Sequence, residues 1–251
     1  MAATYTRRIY VALLKDYKPV IDAWKNGGPQ FALSMVGFIQ SNKTAAEIIS
    51  LWRNVGQQAA ETAWQKGANK KATGRIGRWS KAWLMLLKRY INDAALEKVR
   101  QEINATTKKM VLKVLMQGIK EGYTLPQLVE QLSGRMTKVR AKMIVRTETI
   151  KATNYGFLTA AEQYPFMVQK KWNSAHDNRV RDGQSRGEGD HRALNEQVKN
   201  LMEPFADPHN GDLMMCPGDV TLGASGASVI NCRCRITFIP MRDASGNLIM
   251  K

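Results

Sequence analysis

An α+β fold, helical and basic first and strand-containing last, is what this sequence predicts, and three observations carry the prediction. Apolar residues recur at helical spacing over most of residues 4–162. At Tyr164-Pro165 the pattern switches to alternation, and "FMVQKKWN" at 166–173 reads as a strand. The charge changes at the same place: residues 1–165 hold 27 basic and 11 acidic side chains, whereas 166–251 hold 11 and 10. The expected organisation is a mainly α-helical basic region over 1–165 followed by a small α+β module over 166–251.

The first helix is expected over 4–25, where Ile9, Leu13, Tyr17, Val20 and Trp24 share a face, with Pro19 threatening its middle. "NGGP" at 26–29 is a break, and a short apolar helix follows over 30–40. Asn42 or Thr44 is positioned to cap a helix running to about Lys66. "KGANKKATGRIGR" at 66–78 reads as a loop, and helical periodicity returns from Trp79 to Glu121. "EGYTLPQLVEQL" supplies a stop at Gly122, an N-cap at Thr124 and Pro126 in the first turn of the next helix. A last long helix is expected over roughly 137–162. Beyond the first strand, "SAHDNRVRDGQSRGEGDHRAL" is loop-like, and the final strand falls at 235–240.

Composition narrows the function. A net charge of +17 favours polyanionic partners such as nucleic acid or an anionic membrane surface. No apolar run reaches the roughly 18 residues a membrane-spanning helix needs, and the N-terminus lacks the apolar core of a signal peptide. A cytosol-like compartment, with Cys216, Cys232 and Cys234 reduced, is therefore expected. Between residues 66 and 120 fourteen basic residues face three acidic ones, too uneven for an ordinary solvated face. Duplex DNA contact without base readout is expected there, through Lys66, Lys70, Lys71, Arg75, Arg78, Lys81, Lys88, Arg89, Lys108, Lys109 and Lys113.

Three further clusters invite chemistry. In "RTETIKATNYG" at 146–156, Arg146 and Glu148 sit two apart and do not face each other, while Glu148 reaches Lys151, as on an ordinary charged helix face. "WNSAHDNRVRDGQSRGEGDHRALNEQ" offers His176, Asp177, Arg179, Arg181, Asp190 and His191, but no Ser or Cys stands in a nucleophile-elbow context and no glycine pattern matches a phosphate loop. In "VINCRCRITFIP" the thiols of Cys232 and Cys234, two apart on a strand, would share a face. Packing without any cofactor is one reading of that pair. A tetrahedral zinc set completed by Cys216 and one of His176, His191 or His209 is the other.

Taken in order, "RAKMIVRTETIKATNYG", "KKWNSAHDNRVR", "DHRALNEQ" and "PGDVTLGASGASVINCRC" resemble the phage Mu F-like head-morphogenesis, or minor head protein, family over roughly residues 139–238. The residues that carry the resemblance are Arg146, Glu148, Trp172, Asp177, Arg179, Val180, Arg181, His191, Leu194, Asn195, the Pro217-Gly218-Asp219 turn, Asn231, Cys232, Arg233 and Cys234. Two departures stand out: the stretch from Arg181 to His191 is longer than usual, and Glu196 stands where many relatives carry glycine. Some relatives add a CxxC upstream that suggests metal, and this chain lacks it.

The resemblance implies a nonenzymatic protein carried in few copies inside a tailed-phage head, near the portal vertex, after assembly in the host cytoplasm. Its partners would be the portal protein, genomic double-stranded DNA and a coat or scaffolding protein, and its role head assembly or genome delivery. It also implies that the CRC segment pins the last strand against the His191 loop. The alternatives are a toxin or nucleic-acid-modifying effector carrying this module, which the short tail "MRDASGNLIMK" argues against, and a membrane-active ejected protein.

Overall fold

A computed structural model describes residues 1–67, 94–184 and 188–251. In chain order these form α1 (Ala2–Met35), a 3-10 turn (Val36–Phe38), α2 (Asn42–Gly67), α3 (Ala94–Glu121), α4 (Leu125–Ser133) and α5 (Arg135–Glu162). Then follow β1 (Val168–Asn173), β2 (Val198–Asn200), β3 (Phe205–Ala206), β4 (Leu213–Met214), α6 (Gly226–Val229) and β5 (Arg235–Pro240). The architecture is α+β, helices first and small antiparallel sheets last. Among the described residues, no helix is long and apolar enough to cross a membrane.

The chain divides into two compact units, Met1–Ser50 with Asp93–Val145, and Leu51–Asn92 with Arg146–Lys251. The division falls inside α2 and α5, each of which contributes to both units. The change of character near residue 165 marks instead where helices give way to strands.

In the first unit α1 packs against α3 and α4, burying Ile9, Leu13, Tyr17 and Val20. The expected break appears as a kink within α1 at Gly28, which takes φ 75° and ψ −173°. Pro19 causes none. Its ring and the Lys15 carbonyl that loses a donor lie on an exposed stretch of the helix, and the backbone stays helical there. The start of α2 is held from outside. Buried Asp16 on α1 accepts the N–H groups of Lys43 (3.1 Å) and Thr44 (3.1 Å) and the Thr44 hydroxyl (2.7 Å). A carboxylate at a helix N-terminus meets orphan donors and the positive end of the dipole together. The α4 start follows the expected pattern, with Thr124 and Gln127 in a capping box and Pro126 in the first turn.

The second unit pairs the strands in the order β2-β1-β5, all antiparallel, with Trp172 opposite Ile236 and Lys170 opposite Phe238. Alternate residues of β1, Val168, Lys170 and Trp172, are buried. Lys170 is tolerated inside because its ammonium donates to the Met215 carbonyl at 2.8 Å and lies 5.3 Å from the Phe205 ring. Burial nevertheless pulls its pKa down to about 8. Ala161, Tyr164, Phe166 and Val168 form a core cluster with Trp64 and Phe238 around it.

Candidate functional site

The site is built on the C-terminal half of α5. Thr147, Lys151 and Asn154 recur at i, i+4 and i+7, so they share a face, and all three are buried. The Thr147 hydroxyl accepts the Asn231 N–H at 2.8 Å. Arg146 donates to the Asn231 side-chain oxygen at 3.0 Å. Asn154 donates to the carbonyls of Pro217 (3.0 Å) and Cys234 (3.2 Å) and accepts the Ile236 N–H at 3.0 Å. One helix face therefore holds the Pro-Gly-Asp turn, the Asn231 corner and the start of β5 together. Gly218, at φ 86°, sits so close over Lys151 that a Cβ there would meet its Cγ at 2.9 Å.

Glu148 and Lys151 do not lie on the charged, solvated face expected from the sequence. Glu148 and Lys151 are buried as an ion pair at 3.2 Å. Trp52 of α2 donates its indole N–H to the second Glu148 oxygen at 2.9 Å. The i,i+3 reach was legible; the burial was not, because its cause is a tryptophan 96 residues away.

The Asp177 segment is a loop anchor. Asp177 accepts both guanidinium nitrogens of Arg233, one at 2.5 Å. It also accepts the backbone N–H of Arg179 at 3.0 Å, closing an Asx turn. The Arg233 guanidinium holds its carboxyl down at about 2. Arg181 donates to the Ile230 carbonyl and lies 3.6 Å from Glu188. The Arg179 side chain is exposed.

His191 lies in the turn that follows. Its ring packs edge-on against buried Trp172, with centroids 5.2 Å apart and planes at 74°. Its Nδ1 is 3.6 Å from the sulfur of Cys232 and 3.6 Å from that of Cys234. Its Nε2 is buried without a hydrogen-bond partner among the described residues. The hydrogen bond to Cys234 and the adjacent histidine hold the Cys232 thiol well below the ordinary thiol range, while the same bond pushes Cys234 up. Among the described residues, His191, Cys232 and Cys234 form the one group of this kind able to hold a metal ion. Cys216 is buried and free but falls outside the group, as do His176 and His209. Burial raises its thiol well above the usual range.

Of the basic residues expected to meet DNA, Lys70, Lys71, Arg75, Arg78, Lys81, Lys88 and Arg89 lie outside the described residues, as does the Lys66 side chain. Lys109 and Lys113 are exposed on α3. Lys108 is half-buried and donates to the Gly37 carbonyl at 2.6 Å. A second basic feature escaped the sequence reading: Arg7, Arg8, Lys15 and Lys43 line a groove of about 290 Å³ in the first unit, together with Glu47, which pairs with Arg8 at 2.6 Å.

The arrangement of Trp172, the Asp177 loop, the His191 turn and the Asn-Cys-Arg-Cys segment is mirrored in a sequence comparison. The family model described as Phage Mu protein F like protein matches residues 109–237, half of the chain. The chain belongs to that family. The Mu F-like match begins within α3, upstream of the position near 139 where the motif resemblance starts. A relative, the minor head protein GP7 of Bacillus phage SPP1, is 29% identical over 148 residues. That match covers 57% of this chain and 43% of the relative, so less than half of the relative's length is represented. No solved structure matches.

The Mu F-like residue pattern has a physical basis in this chain. Glu196, the departure noted in the sequence, takes φ 66°, a left-handed conformation that glycine adopts without cost. It is held there by the bond from its N–H to the Trp172 carbonyl (2.9 Å) and by Lys171 at 2.6 Å.

Proposed function

We propose that this protein is a nonenzymatic minor head protein of a tailed phage, located inside the head near the portal vertex. There its basic helices contact genomic DNA and its Mu F-like module supports head assembly or genome delivery. The observation that carries the reading is the pairing of a Mu F-like match over 109–237 with a basic region in front of it, residues 1–108 holding 18 basic and 7 acidic side chains. Similarity to a minor head protein supports the virion setting. The exposed Lys109 and Lys113, and Arg7, Lys15 and Lys43 in the groove where Glu47 pairs with Arg8, support backbone contact with a polyanion. Portal protein and a coat or scaffolding protein are the protein partners this reading implies.

Binding of the full-length protein to short duplexes of unrelated sequence tests the DNA contact. Engagement of about six phosphates predicts a loss of roughly a thousandfold in affinity between 50 and 200 mM salt, with little dependence on sequence. Absence of binding at low salt, or binding indifferent to salt, contradicts it.

A further inference from the structure

Three ligand atoms converge in the Mu F-like module at distances set by more than packing. His191 Nδ1 stands 3.6 Å from each of two sulfurs, and all three atoms lie within 4.8 Å of one another. Tetrahedral zinc, with bonds of about 2.3 Å to sulfur and about 2.05 Å to nitrogen, places neighbouring nitrogen and sulfur ligands about 3.6 Å apart. Both observed nitrogen–sulfur distances match that spacing. Hydrogen bonding alone accounts for it less well. A neutral imidazole nitrogen offers one lone pair or one N–H, so it cannot serve two thiols equally.

Burial points the same way. His191 is 1% exposed and both cysteines 2%, and two thiolates with a neutral imidazole cancel the charge of a divalent ion, so the ion can sit in an apolar interior. The framework is already rigid: Trp172 sets the histidine ring, and Asn154 holds the Cys234 carbonyl.

We propose that His191, Cys232 and Cys234 bind one zinc ion, which ties the His191 turn to the segment entering β5. Cys216 lies outside the set, so three protein ligands hold the ion and charge balance calls for a neutral fourth ligand. The role is structural, and it is independent of whether the protein contacts DNA or portal.

The test uses the intact protein purified from zinc-supplemented cells without chelators. Elemental analysis should find one zinc per chain, and exchange for cobalt should give the thiolate-to-metal charge-transfer band of cysteine coordination. Cys216→Ser should keep the metal, and His191→Ala should lose it. Because exchange of the ligands can itself unfold the module, the deciding reading is taken on the wild type. A folded wild-type chain that holds no zinc and gives no thiolate band with cobalt overturns the site, and loss of metal from Cys216→Ser alone overturns the three-ligand assignment.

Discussion

Asp177 shows how a motif residue can be conspicuous in the sequence for a reason other than chemistry. Its carboxylate looks like a general base beside a histidine, yet the structure pairs it with Arg233 and the Arg179 N–H, which makes it a clamp on the cysteine segment. Its pKa is depressed from the ordinary 3.8 to about 2. Its contribution to stability is therefore complete above about pH 4 and is lost as the pH falls through 2. The thermal stabilities of wild type and Asp177→Asn should differ at neutral pH and converge near pH 2. A difference that is constant across that window contradicts the clamp. Asn154 carries more weight and was invisible from the sequence, because each of its three partners lies more than sixty residues away. Asn154→Ala should cost about 2–4 kcal/mol in denaturant unfolding, since it strands buried carbonyls and an N–H. At Glu196 the sign reverses. Relief of the left-handed strain should make Glu196→Gly neutral or stabilising by up to about 1 kcal/mol, the loss of the exposed Lys171 pair being small.

Helices were legible because their determinants are local. The Thr124–Gln127 capping box, Pro126 and the periodicity expected over roughly 137–162 all act within a few residues, and the helices appear there, at Leu125–Ser133 and Arg135–Glu162. What sequence missed were effects one element exerts on another. The first turn of α2 is satisfied by Asp16 of α1 rather than by a side chain of its own sequence neighbourhood. The strand and loop pattern of the module was likewise readable from alternation at 166–173, where β1 forms over Val168–Asn173, but the face of α5 that holds β5 was not. Gly156 is a further case. A Cβ there would meet the Gly56 carbonyl of α2 at 2.5 Å and Ala59 at 3.0 Å, so the glycine of the "TNYG" motif permits close approach of two helix backbones. Gly156→Ala should destabilise by about 1–3 kcal/mol despite the better helix propensity of alanine. A stabilising effect in chemical denaturation would show that the helices can move apart freely.

At the scale of the whole molecule, the family was legible because its signature is an ordered set of residues, and that set proves to be one connected network of α5, the Asp177 loop, the His191 turn and β5. Charge was legible too, but its spatial placement was not. Seven of the residues singled out for DNA contact fall outside the described part, whereas the groove around Arg7 and Lys43 gathers cations scattered along two helices. The central claim is that a Mu F-like module and a strongly basic helical region together serve inside a phage head. A reconstruction of the virion that locates this protein and counts its copies tests that claim most directly. A few copies on the inner side of the head at the portal vertex, with the basic helices facing packaged DNA, is the predicted result. Absence from the particle, or presence throughout the outer coat lattice, would contradict it.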